Sequence, residues 1–247
     1  MAVTLDVRGI GKDFLIPIIA SVSFTVEAGE FVCLLGPNGC GKTTLLRIIG
    51  GLEPPTRGTV TLGGEPVAGS GRHTRKVGVV FQEDRLLPWM TLRENVELVQ
   101  RPLGVDAAAR RATADRYLRL CGLAGFEDYH PSRVSGGMRQ RAAIARALAI
   151  EPDLLLMDEP FGALDAQNRR IMQAEIRRIW RETGRTILFV THAIEEAVAI
   201  GTVLIMLSAR PARIREAVAN DGRIERAKLI DDLNVMIMEE VERQQES

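Results

Sequence analysis

The segment GPNGCGKTT, Gly36 to Thr44, constrains what this chain can fold into more than any other. It fits the pattern G-x-x-x-x-G-K-[ST], comes directly after the apolar run FVCLL (31–35) and opens the helical stretch TTLLRIIGGL. A strand, a glycine-rich turn and a helix start, in that order, make a phosphate loop. Gly36, Gly39 and Gly41 let backbone N–H groups curl around phosphate oxygens, with Pro37, Asn38, Cys40 and Thr44 completing the loop. The helix N-terminus adds a favourable dipole. Lys42 is placed to reach β- and γ-phosphates, and the Thr43 hydroxyl to ligate Mg²⁺.

Four short apolar runs set the expected fold: FVCLL (31–35), VGVVF (77–81), DLLLM (153–157) and TILFV (186–190). Each is uninterrupted and bounded by polar or glycine-rich residues, as are strands buried on both faces of a parallel sheet. Periodicity alone leaves a buried helix segment open. The residues just after each run favour strands: the phosphate loop, Gln82, Asp158-Glu159 and Thr191-His192. Ligands of open α/β sheets sit outside the carboxyl ends of the strands, so these polar residues would converge on one edge. Earlier, VTLDV, SVSFTV and TVTLGG carry strand character between Gly/Pro turns. Between Thr91 and Ile150, Ala, Arg and Leu dominate at helical spacing.

The expected architecture is therefore an α/β P-loop NTPase sheet core with an N-terminal antiparallel β portion and an inserted α-helical lobe. One domain over 1–247 would comprise a core of about 1–90 and 151–220, a helical lobe of about 91–150 and a charged helical tail of about 224–247.

Two further segments carry chemistry. LLLMDEP ends an apolar run on Asp158, a carboxylate for Mg²⁺, with Glu159 next in the chain, where it can polarise an attacking water. In VSGGMRQR (134–141), Ser135 is placed as an N-cap and Gly136-Gly137 open an Arg- and Ala-rich helix. A bare helix start with a hydroxyl and two glycines is a second anion site. Lys42 already fills the phosphate role within the chain, so this second site has no obvious ligand of its own.

Composition narrows the partners. Of 247 residues, 46% are apolar and 26% charged, and Lys+Arg and Asp+Glu both number 32, so the basic excess usual in nucleic-acid binders is absent. Cys33, Cys40 and Cys121 lack metal-ligand spacing, which fits a reducing compartment. Cys40 lends mainly its backbone N–H to the loop, and its thiol is expected to make the activity alkylation-sensitive. His73 and His130 lack ligand-spaced neighbours. MAVTLDVRG does not have a signal-peptide pattern, and Thr186–Ala209 is interrupted by His192, Glu195 and Glu196, so a cytosolic chain without a membrane span is expected.

The ordered set GPNGCGKTT, Gln82, SGGMRQR, LLLMDEP, GALD (162–165) and Thr191-His192 resembles the nucleotide-binding subunit of ABC transporters over nearly the whole chain. The resemblance implies an ATPase that sandwiches two ATP molecules in a head-to-tail dimer of two copies. The signature Ser135, Gly136, Gly137 and Gln140 of one copy would act in trans, with Ser135 and Gly137 on the γ-phosphate held by the other. Asp165 would cross the same interface. Gln82 would touch Mg²⁺ and the water, and His192 would hold the γ-phosphate. Phe14, in KDF, is the best candidate to stack on adenine. EDRLLPWMTLREN sits where such subunits meet integral-membrane permeases, and Leu86, Leu87, Pro88, Trp89 and Met90 form an apolar run that either packs internally or offers a docking surface. FQEDRLLPW and LSARPARI are similar to the branch serving nitrate, sulfonate and taurine importers, which implies a solute-binding protein as an indirect partner and a peripheral place on the cytoplasmic face of the inner membrane.

Two other classes compete. A soluble ABC-type ATPase driving assembly or nucleic-acid work is disfavoured by the zero net charge and the apolar LLPWM loop. A small-molecule kinase or GTPase is disfavoured because no N-K-x-D motif is present and SGG has no role there.

Overall fold

A computed structural model describes residues 3–67, 77–162 and 164–245. Of the residues read from sequence, His73 lies outside the described residues. The chain divides into two compact units, 1–75 with 184–247, and 76–183. The expected helical lobe of 91–150 lies wholly within the second.

In the first unit the chain runs through β1 (Leu5–Asp13), β2 (Pro17–Val26), β3 (Phe31–Leu35), α1 (Lys42–Ile49), β4 (Arg57–Leu62) and the short β5 (Glu65–Pro66). The second unit holds β6 (Val77–Val80), α2 (Leu92–Leu98), α3 (Ala107–Leu120), α4 (Gly136–Leu148), β7 (Leu154–Asp158) and α5 (Ala166–Thr183). The chain then returns to the first unit as β8 (Thr186–Val190), α6 (Ile194–Ile200), β9 (Val203–Leu207), β10 (Ala212–Ala219) and α7 (Arg226–Gln245).

Strand order in the first unit is β5-β4-β1-β2-β10-β9-β3-β8. The expected antiparallel portion is β1 with β2 and β4, in register at Leu5↔Val26 and Leu5↔Leu62. The parallel portion is β3 between β8 and β9, at Phe31↔Ile187 and Val32↔Val203. β3 and β8 are buried at every residue, as their unbroken apolar sequences demand, and Phe31 packs on Phe189 with ring centroids 5.9 Å apart.

The tail helix α7 belongs to this unit, docked through a buried carboxylate. Glu240 accepts from the Ala209 N–H at 2.7 Å and from Arg243 at 2.7 Å, and pairs with Arg215. These donors hold its carboxyl below the usual range although burial pushes the other way.

In the second unit β6 and β7 are parallel, at Val77↔Leu154. β7 is buried throughout, but β6 alternates between half-buried and buried. The run VGVVF therefore departs from the expectation of a strand buried on both faces. It stops at Val80 and has a single strand neighbour, β7. α4 lies close against it. A Cβ on Gly78 would stand 2.7 Å from the Ala147 carbonyl oxygen, so only glycine fits there. Among the described residues, no helix is long and apolar enough to cross a membrane.

Candidate functional site

The phosphate loop joins β3 to α1 inside the first unit. Gly41 precedes the helix at φ +112°, a conformation that a side chain would strain, and no side chain caps α1. The helix start thus keeps the form that receives an anion. Lys42 is buried, and its ammonium donates to the loop's own carbonyls, Gly36 at 2.8 Å and Pro37 at 2.9 Å. Behind the loop lies the end of β9, where a Cβ on Gly36 would meet the Leu207 carbonyl at 3.1 Å.

Cys40 faces inward from the loop. Its side chain is fully buried, and burial pushes its thiol up despite the nearby Lys42. A buried, protonated thiol is a slower nucleophile than an exposed one, so the side chain of Cys40 is less accessible to alkylation than its place in the loop implies.

Phe14 lies between β1 and β2, 57% exposed, with the Lys12 ammonium 4.7 Å from its ring centroid. Leu15 beside it is fully exposed. Lys12 is anchored elsewhere, by Glu53 at 2.5 Å and the Pro54 carbonyl at 2.8 Å. Phe14 is therefore not a core residue.

His192 is exposed in the turn between β8 and α6. The turn is set by Thr191, whose hydroxyl donates to the buried Glu196 carboxylate at 2.5 Å and accepts from the Ala193 N–H at 3.1 Å.

In the second unit, Asp158 closes β7 and is buried. Glu159 comes next at φ +43°, a left-handed backbone that costs a non-glycine residue about 1–3 kcal/mol. Such strain persists where the surroundings hold it, and it turns the chain sharply at the carboxylate next to the strand end. Gln82 lies nearby. A Cβ built on Gly162 would stand 3.5 Å from both the Gln82 amide nitrogen and the Glu159 carbonyl. β6 and β7 thus deliver Gln82 and Asp158-Glu159 to one edge of this unit.

Ser135 is the N-cap of α4, accepting from the Met138 N–H at 3.3 Å, and Gly136 is exposed. Gln140 is buried, its amide 3.5 Å from the Phe81 carbonyl. Asp165 accepts from the Asn168 backbone N–H at 2.9 Å and side-chain amide at 2.6 Å, bonds that hold its carboxyl below the ordinary range. It caps the start of α5 within its own chain.

The segment 82–91 is firmly held, and its apolar run is divided. Leu86 is buried, whereas Trp89 is 69% exposed. Asn95, fully buried, accepts from the Leu87 N–H at 2.7 Å and donates to the carbonyls of Leu87, Met90 and Thr91 at 2.9–3.2 Å. Arg139 and Arg146 of α4 reach the same segment through Asp84 and Arg85. Asn95, Asp84, Arg139 and Arg146 escape a sequence reading. The one available signal is the seven-residue spacing of the two arginines, which puts both on one helix face.

Among the described residues, no group of three or more His, Cys, Asp or Glu could cage a metal ion. The oxygens of Thr43, Gln82 and Asp158 are each hard donors of the kind Mg²⁺ takes.

Comparison with known proteins bears on these features together. Residues 19–162 match the ABC transporter family model. The chain is 45% identical over 226 residues to an ABC transporter ATP-binding protein of Methanocaldococcus jannaschii, covering 90% of this chain and 84% of that one. It is 50% identical over 196 residues to the taurine import ATP-binding protein of Burkholderia pseudomallei, covering 79% and 74%. Among solved structures, a dimeric ATP-binding cassette in a post-hydrolysis state bound to ADP and Pi superposes with a TM-score of 0.76 at 30% identity, over 88% of this chain and 99% of that one. The chain belongs to the ABC transporter family, as an ATP-binding subunit that hydrolyses ATP.

Proposed function

We propose that this chain energises import of a small sulfonate- or nitrate-type solute, working as a head-to-tail dimer beneath permease subunits on the cytoplasmic face of the cell membrane. The observation that carries this reading is the 50% identity to a chain named for taurine import. The exposed Trp89 on a rigidly held loop supports a docking surface, because an apolar side chain kept out of the core by fixed backbone is available to a partner.

In this reading Gly36 to Thr44 bind the phosphates of ATP and Phe14 stacks on the base. Thr43, Gln82 and Asp158 would hold Mg²⁺, which would supply charge neutralisation at the phosphates. Glu159 takes the proton of the attacking water, oriented by Gln82, and His192 holds the γ-phosphate. Ser135 and Gly137, with Gly136 and Gln140 shaping the turn, meet the γ-phosphate bound by the second copy, and Asp165 faces that copy. Phosphoryl transfer asks mainly for positioning and charge stabilisation, so a site completed by a second chain acts as a switch. ATP binding closes the dimer and hydrolysis reopens it, moving the permease.

The test is to purify the complex from membranes and add its binding protein loaded in turn with taurine, other sulfonates and nitrate. One of these solutes is expected to raise ATP hydrolysis several-fold. Hydrolysis indifferent to all of them, or a chain that never co-purifies with membranes, overturns the importer reading.

A further inference from the structure

The side chain of Arg139 touches two segments that the proposed function keeps apart. Its Nε donates to Asp84 Oδ2 at 3.0 Å, in the loop that carries Trp89. Its Nη1 donates to the Val134 carbonyl at 3.2 Å, the residue immediately before Ser135. Asp84 is likewise committed at both ends, since its Oδ1 accepts from the Leu86 N–H at 3.0 Å.

One helical turn pair further along α4, Arg146 donates to the carbonyls of Asp84 at 2.8 Å and Arg85 at 2.7 Å. Arg85 sits at φ +48° with its guanidinium 3.9 Å from the Phe81 ring centroid, so the loop bends sharply where Arg146 grips it. Loop and helix also flank a cavity of about 610 Å³, lined by Gln82, Asp84, Gly136 and Arg139 among others. Arg139 and Arg146 therefore couple any displacement of the loop to the helix.

A half-exposed ion pair by itself is worth only about 0–1 kcal/mol, so stability is a weak reason for this arrangement. Geometry is the stronger one. A guanidinium donates from several fixed directions at once, and here it spans a loop carboxylate and the backbone at the signature turn.

We infer that Arg139 is a positioning residue that sets the signature turn Ser135–Gly137 according to the position of the loop at Asp84. Displacement of the loop, by a docking partner or by mutation, releases Val134 and turns Ser135 and Gly137 away from the phosphate of the second copy. This inference rests on the reading of those residues as a contact in trans.

The experiment uses the full chain carrying Glu159→Gln, and reads the ATP concentration that half-saturates dimer formation by light scattering. Binding of a fluorescent ATP analogue to the monomer is read beside it. Asp84→Asn and Arg139→Gln are each expected to raise the half-saturating ATP about three- to tenfold, with monomer binding unchanged. The double variant is expected to equal the singles, because both break one tie. Arg139→Lys, which keeps the charge but cannot span both contacts, should give a partial shift and guards against a folding defect in the glutamine variant. Unchanged dimerisation in the single variants, or additive effects in the double, overturns the role of Arg139. If the Glu159→Gln parent itself forms no ATP-dependent dimer, the reading in trans fails and the inference falls with it.

Discussion

The phosphate loop and the segment 82–91 each lie just past a strand, yet they are held in opposite ways. The phosphate loop is bound to itself: Lys42 closes onto carbonyls five and six residues away, and Gly41 supplies the backbone turn. The segment 82–91 is held from outside, by Asn95 and by arginines of α4 that lie 55–62 residues further along. A loop tied to itself depends less on the position of a distant helix. One tied to a distant helix changes when that helix moves, and moves the helix when it is pushed. In the proposed function, binding of phosphate falls to the first kind of loop and communication with a partner to the second.

The sharpest way to separate the two is to stop chemistry without touching either loop. Glu159→Gln should lower ATP turnover about 100-fold or more while leaving ATP binding by the phosphate loop intact, since a general base contributes on that scale. Steady-state hydrolysis and nucleotide binding measured side by side check this. Normal turnover would overturn the assignment of the base.

Breaking the outer scaffold is the next largest effect. Asn95→Ala removes four hydrogen bonds from a fully buried site and takes the acceptor from the Leu87 N–H and a donor from the Met90 carbonyl, so a destabilisation of about 2–3 kcal/mol is expected. Monomer affinity for ATP should stay within about twofold, because the phosphate loop does not depend on Asn95; the tolerance is well below the tenfold that about 1.4 kcal/mol represents. Denaturant unfolding and nucleotide titration would tell. A parallel loss of binding would mean that the two loops are not independent.

The smallest effect on the isolated chain is expected from Trp89→Glu. This side chain is exposed, and a surface substitution there should alter stability by less than about 0.5 kcal/mol. Hydrolysis by the isolated subunit should be unchanged while transport by the reconstituted complex is lost. If hydrolysis fails too, Trp89 serves the fold and not a partner.

Much of the fold was legible because its signals are local. FVCLL and TILFV coincide with β3 and β8, the phosphate loop opens α1 as its motif requires, and Ser135 caps α4. VGVVF was legible as a strand but not as a half-exposed one, since exposure depends on how many neighbours a strand has. The burial of the Cys40 thiol was hidden for a similar reason. Its place in a binding loop implies access, and only packing shows that the side chain turns inward.

The sequence by itself determined the glycine-rich turn between β3 and α1 and which residue types stand at the strand ends, because glycine turns, helix caps and apolar runs act over a few residues. Tertiary structure decided that Leu86 is buried while Trp89 is exposed, that Glu159 sits in a left-handed turn, and that Arg139 joins Asp84 to Val134. Those contacts bring together residues far apart in the chain, or set the backbone by the packing around it. No spacing along the sequence records them.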